Sequence, residues 1–207
     1  MISIVDYGSG NIQAIKNIYK RLNVECQIVS TAEELAGATK IILAGVGAFD
    51  ETMKLLEQSG MRKLLDKLVI KDNVPVLGVC VGMQIMATSS DEGQLSGLNW
   101  FDAKVKKLDE SLIPHKPKTP HMGWNTAIPT NDNGIFKGVD KEKGFYFLHS
   151  FYFECKNDSD ILAKTLYGQK FTSAVQKGNI YGFQFHPEKS HSNGINVFKN
   201  FAELNLC

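Results

Sequence analysis

Apolar and polar positions alternate along the first half of the chain in two different rhythms. Short apolar runs at Ile2 to Asp6, Cys26 to Val29, Lys40 to Ala44 and Val74 to Val79 have the length and β-branched content of buried strands. Between them the apolar residues fall at helical spacing. Ile12, Ile15, Ile18, Tyr19 and Leu22 define a helix over Asn11 to Leu22 with Asn11 placed to cap it, and Thr31-Ala32-Glu33-Glu34 has the form of a capping box opening a short helix. Helical patterns then run from Phe49 to Val69 with a break at Ser59-Gly60. Strand and helix in alternation predict a parallel sheet covered by helices.

From Trp100 onward the rhythm shortens. Strands are predicted at Ala103 to Leu108, Gly123 to Ile128, Gly144 to Phe153, Ile161 to Tyr167, Phe171 to Lys177 and Ile180 to Phe185. The proline-bearing stretch from Pro114 to Pro120 reads as a surface loop, and Ser190 to Leu204 as a helix docking on the sheet. The expected architecture is a single α/β domain over residues 1–207, with a mixed, mostly parallel central sheet flanked by helices and additional short strands in the second half. No internal repeat or low-complexity tract interrupts it.

Composition narrows the function. A chain of 207 residues that is 43% hydrophobic is long enough to bury a sizeable core. Lys and Arg number 23 against 22 for Asp and Glu, a net charge of +1, so no overall field draws nucleic acid or anionic membrane. Nowhere do about 18 apolar residues run together, and no basic leader opens the chain, which predicts a soluble, cytoplasmic protein. The four cysteines, Cys26, Cys80, Cys155 and Cys207, show no C-x-x-C pair, which argues against a disulfide framework and against zinc. His186 and His191 lie five apart and no other histidine has ligand spacing, so neither a metal nor another cofactor is expected.

One run carries chemistry. Gly78-Val79-Cys80-Val81-Gly82-Met83-Gln84 follows an apolar strand, and its flanking glycines allow the tight strand-to-helix turn that lifts a nucleophile out of a sheet. A buried cysteine standing alone is core filler. About a hundred residues later, however, His186-Pro187-Glu188 supplies a base and an orienting acid at the end of another predicted strand. A helix start at Cys80 would favour its thiolate, and the Val81 N–H and the glycine-rich Gly45-Val46-Gly47 backbone are candidate donors to an oxyanion. Gly8-Ser9-Gly10 invites a dinucleotide reading, but the third glycine would fall at Gln13. An α/β-hydrolase would separate its acid from a terminal histidine, unlike the adjacent pair here.

These segments resemble the class I, triad-type glutamine amidotransferases, with their G-x-C-x-G-x-Q elbow and terminal H-P-E. More narrowly, Asp6-Tyr7-Gly8-Ser9-Gly10-Asn11, Gly45 to Phe49, Pro120 to Asn125, Tyr146 to Ser150 and Gln184 to Ser190 resemble the glutaminase subunits of imidazole glycerol phosphate synthases. The resemblance implies that Cys80, His186 and Glu188 form the triad, with Val46 and Val81 as oxyanion donors. It further implies that Gly47, Gln84, Glu92, Ser150 and Phe151 hold glutamine. Asn11, Trp124, Tyr146 and Lys189 would face a synthase partner of (β/α)8 fold, in a heterodimer that receives the ammonia. Two alternatives stay open: the same glutaminase serving synthesis of amidino sugars for surface polysaccharide, and a binding subunit without catalysis. Ala44 stands where the family pattern usually has proline, Ala87 and Thr88 replace an aromatic and an acid, and the Pro114 to Pro120 loop is longer and more basic than usual.

Overall fold

Residues 1–131 and 134–204 are described by the computed structural model, so Cys207 lies outside the described residues. The first half delivers the alternation: β1 (Ile2–Val5), α1 (Ile12–Arg21), β2 (Cys26–Val29), α2 (Ala32–Leu35), β3 (Lys40–Gly45), α3 (Phe49–Gln58), α4 (Arg62–Asp66), β4 (Val76–Cys80) and α5 (Val81–Gln84). The last helical turn before β4, Lys67–Lys71, is widened, and the Asp72 N–H reaches back to the Lys67 carbonyl at 3.0 Å. Gly60, at φ +71°, separates α3 from α4 as the Ser59-Gly60 signal predicts.

Two caps differ from expectation. Asn11 occupies the cap position of α1, but its side chain makes no capping bond. At α2 the Thr31 hydroxyl accepts from the Glu34 N–H at 3.3 Å, while the Glu34 carboxylate takes the Ser30 N–H, one residue before the cap, at 2.7 Å.

Five parallel strands in the order β2-β1-β3-β4-β13, where β13 is Ile180–Phe183, form the centre of the main sheet. Every residue of β1, β4 and β13 is buried, as a strand covered on both faces requires. The sheet continues through β12 (Gln169–Lys177), β10 (Phe151–Cys155), β6 (Ala103–Lys107) and a two-residue edge, β5 (Ser89–Ser90). β11 (Ile161–Tyr167) pairs with β12 and with β8 (Ile128–Pro129). The outcome is a mixed sheet, parallel through its core and antiparallel from β13 to β6, with β5 again parallel to β6. α6 (His191–Ala202) packs on α1 through Tyr19 and Phe198, ring centroids 5.5 Å apart.

The second half corrects two boundaries. Gly144 to Phe153, predicted as one strand, is two. β9 (Phe145–His149) pairs with β7 (His121–Asn125) in a separate antiparallel ribbon, and the chain crosses at Ser150 into β10 of the main sheet. Likewise Gly123 to Ile128 divides into β7 and β8, because Asn125 turns its side chain onto the Thr126 N–H at 2.8 Å, a local bond that ends the pairing. The ribbon has two faces of opposite character. Phe145, Phe147, His149 and His121 point into the core, whereas Met122, Trp124 and Leu148 are exposed at 61%, 47% and 37%. No helix among the described residues is long and apolar enough to cross a membrane.

Candidate active site

β4 ends in a sharp turn. Cys80 sits at φ +54° and ψ −114°, a conformation that costs a non-glycine residue about 1–3 kcal/mol and persists only where the surroundings enforce it. Here glycines enforce it by letting α5 lie on the sheet. A Cβ on Gly82 would stand 1.8 Å from the Leu43 carbonyl oxygen, and one on Gly78 would stand 2.7 Å from the Gly82 oxygen. α5 is a single turn, so the helix dipole at Cys80 is correspondingly small.

His186 leaves β13 and enters a tight turn over Pro187–Lys189. Its N–H donates to the Tyr146 carbonyl at 2.8 Å, and its own carbonyl accepts from the Ser190 hydroxyl at 2.7 Å. The imidazole Nδ1 lies 2.9 Å from Glu188 Oε1, with both side chains almost fully buried. A carboxylate accepts only, so Nδ1 carries the hydrogen and Nε2 is the ring nitrogen left for Cys80. Burial works against the imidazolium, but its interactions with Cys80 and Glu188 outweigh it and raise the His186 pKa to about 10. Glu188 Oε2 is buried and has no protein partner.

Cys80 and His186 open onto a cavity of about 300 Å³ lined by Val46, Gly47, Cys80, Val81, Gln84, Glu92, Pro120, Leu148, His149, Ser150, Phe151, His186 and Lys189. Every residue anticipated for substrate or oxyanion contact is therefore on one wall or another. A larger recess of about 850 Å³ lies elsewhere, along Thr126 to Asn131 and Gly134 to Lys141, and its lining holds lysines and threonines but no cysteine, histidine or carboxylate. We assign the chemistry to the smaller cavity on that ground. Among the described residues no group of three His, Cys, Asp or Glu side chains could hold a metal.

Local hydrogen bonds restrict what each wall can offer. The Val46 N–H is taken by the Ser9 hydroxyl at 2.9 Å, so in this conformation it is not available to an oxyanion. The Gln84 amide nitrogen donates to the Phe151 carbonyl at 3.1 Å and to Gln184 Oε1 at 3.0 Å, leaving its oxygen for a ligand. Gln184 must then present its own nitrogen to the Cys80 sulfur, 3.8 Å away. The Glu92 carboxylate accepts the Phe49 N–H at 2.9 Å.

Trp124, Tyr146 and Lys189 form one surface group: the indole and phenol rings meet edge-on at 6.4 Å, and the ammonium lies 5.6 Å over the phenol. Asn11 is exposed at the head of α1, apart from the cavity lining. Four contributors escaped the sequence reading: Ser9, Gln184, and the buried pair His121 and His149. The histidine pair is joined Nδ1 to Nε2 at 3.0 Å, and His149 Nδ1 donates to the same Phe151 carbonyl at 2.8 Å. Two histidines paired across a ribbon, His121 with His149, become visible only when the register is known.

A thiol on a strained turn, an imidazole and a carboxylate in line, and an adjoining cavity on a mixed α/β sheet define a protein of the cysteine-dependent amidohydrolase class. The chain belongs to the class-I glutamine amidotransferase family, whose model matches residues 3–204. It is similar to the "Imidazole glycerol phosphate synthase subunit HisH" of Bdellovibrio bacteriovorus, 55% identical over 99% of this chain and 100% of that one. The protein of the same description from Leptospira interrogans is 50% identical with the same coverage. Among solved structures, one described as a glutamine amidotransferase superposes with a TM-score of 0.72 at 19% identity, over 99% of this chain and 100% of that one. The structure of PurLQS from Thermotoga maritima gives 0.70 at 16% identity, over 97% and 96%. At these identities the structural likenesses speak for the fold alone.

Proposed function

We propose that this chain is the glutaminase subunit of an imidazole glycerol phosphate synthase. The observation that carries the reading is the identity of 55% over 99% of the chain to a protein of that description, together with Cys80 and His186 at one cavity and Glu188 bonded behind the imidazole. Cys80 attacks the side-chain amide carbon of glutamine, and the tetrahedral intermediate collapses to a glutamyl thioester as His186 hands a proton to the departing ammonia. Water, deprotonated by the same imidazole, then releases glutamate. Glu188 keeps the ring in the tautomer both steps need. Val81, at the first position of α5 and without an intrahelical acceptor for its N–H, supplies one oxyanion donor, and Val46 a second once its N–H is freed. Gly47, Gln84, Glu92, Ser150 and Phe151 hold the glutamine.

Ammonia passes to a synthase subunit of (β/α)8 fold, docked on the face that carries Trp124, Tyr146 and Lys189, with Asn11 at its margin. The heterodimer works in the cytoplasm, where glutamine and the phosphorylated acceptor are dissolved. The test is Cys80→Ala in the reconstituted complex, which should abolish glutamine-dependent synthesis of imidazole glycerol phosphate and leave synthesis from ammonium salts intact. Retained glutamine turnover would remove Cys80 as nucleophile. A complex that turns over glutamine yet does not restore growth without histidine to a strain lacking its own subunit would reassign the acceptor.

A further inference from the structure

Glu92 reaches the cavity from a segment with no regular structure. Residues 91–96 form neither strand nor helix, and Glu92 is exposed. An exposed carboxylate on such a loop samples many positions, and a ligand that needs it in one of them must bear the ordering cost on binding. This loop is nevertheless tied down at three points by the first two residues of α3. The Phe49 N–H donates to Glu92 Oε2 at 2.9 Å, while Asp50 spreads its carboxylate across the loop backbone, Oδ2 accepting the Gln94 N–H at 2.9 Å and Oδ1 the Leu95 N–H at 3.0 Å. Gly93 lies so close beneath that carboxylate that a Cβ there would stand 2.0 Å from Oδ1.

The two backbone bonds, from Gln94 first and Leu95 second, hold the Asp50 carboxyl below its usual range, so the clamp remains an acceptor throughout the neutral range. Of the described side chains on the cavity wall, Glu92 is the only carboxylate, and glutamine brings one cation, its α-ammonium. We propose that Asp50 is a positioning residue: by clamping the Gln94 and Leu95 amides it holds the Glu92 carboxylate where the α-ammonium of glutamine docks, and so sets selectivity for an α-amino substrate. This rests on the glutaminase reading above and deepens it.

The experiment uses two alkylating probes of Cys80 on the full chain: the diazoketone analogue of glutamine, which carries the α-amino and α-carboxyl groups, and iodoacetamide, which carries neither. Asp50→Asn, and independently Gly93→Ala, should raise the half-saturating diazoketone concentration by about tenfold, the scale of one hydrogen bond, with the limiting inactivation rate and the iodoacetamide rate unchanged. On a Glu92→Gln background, Asp50→Asn should add nothing further. An unchanged half-saturation in both variants, a parallel fall in iodoacetamide reactivity, or a full additional effect on Glu92→Gln would each overturn the assignment. A wild-type chain that reacts with iodoacetamide but ignores the diazoketone would instead sink the glutaminase reading, and this one with it.

Discussion

The hydroxyl of Ser9 makes two hydrogen bonds to a single residue, accepting from the Val46 N–H at 2.9 Å and donating to the Val46 carbonyl at 3.0 Å. Two residues before it, the Tyr7 phenol donates to the Ala44 carbonyl at 2.6 Å and ties the same turn to the end of β3. The peptide that would serve an oxyanion is thus latched from the turn after β1. Gly47, at φ +95°, gives the same segment the backbone freedom to rotate once released. Ser9→Ala removes the latch, and we expect partner-independent glutaminase activity to rise about tenfold, with the partner-stimulated rate little changed. Steady-state glutamine hydrolysis with and without synthase decides it; equal basal rates would mean that the latch does not limit turnover.

Stability should peak near pH 6.5. Burial first, and then the charge of another histidine, His115 for His121 and His121 for His149, pushes His121 down to about 4 and His149 down to about 3 from an ordinary 6.5. Below pH 6.5 the unfolded chain takes up protons that the folded chain refuses, so stability is lost as pH falls, at up to ~1.4 kcal/mol per unit for each ring. His186, raised to about 10, acts in the other window. Its contribution is complete below pH 6.5 and drains away as pH rises toward 10. Urea midpoints measured from pH 5 to 9 should trace this maximum, and His121→Asn should flatten the acid limb. If that limb keeps its slope in the variant, other groups cause it.

Trp124 is 47% exposed yet ordered, stacked on His191 at 5.2 Å with the rings 4° from parallel. A pre-positioned indole loses little entropy on docking, which is the profile of an interface anchor. Trp124→Ala should weaken association with the synthase by about thirtyfold or more, a hot-spot cost of ~2 kcal/mol, and barely move the urea midpoint of the isolated chain. Calorimetric titration of the two subunits measures the first and denaturation the second. An unaffected dissociation constant would move the docking face elsewhere.

Gly82→Ala should be among the most damaging substitutions in the chain. Its new methyl would overlap the Leu43 carbonyl, 1.8 Å away and part of the rigid sheet. A loss of about 4 kcal/mol or more follows. Gly37→Ala, where nothing lies within 4 Å, is the control and should be near neutral. Comparable midpoints for the two variants would show that α5 can lift off β3 without consequence.

The parallel half of the fold was legible because its strands are buried on both faces and its helices are amphipathic, so composition and period agree. β11 was predicted residue for residue, Ile161–Tyr167. The ribbon was hidden for a physical reason. Phe145 to Cys155 keeps the length and apolar content of one strand, and no proline or glycine marks Ser150, where the chain leaves β9 for β10. The cavity residues are found through motif resemblance, whereas Ser9 and Gln184 act through side-chain hydrogen bonds that span 37 and 104 positions. Contacts of that kind leave no period in the sequence.

The two-faced ribbon also bears on how such a chain can evolve. Leu148 turns its side chain outward beside Met122, while its carbonyl accepts from the Cys80 thiol and the next residue, His149, lines the cavity. Drift on the outer face, of the sort that re-tunes one protein to a changing companion, is transmitted through one strand to the atoms around the sulfur. Lineages that exchange companions would therefore be expected to change β7 and β9 as a block, while residues along the edge strands β5 and β8 vary independently.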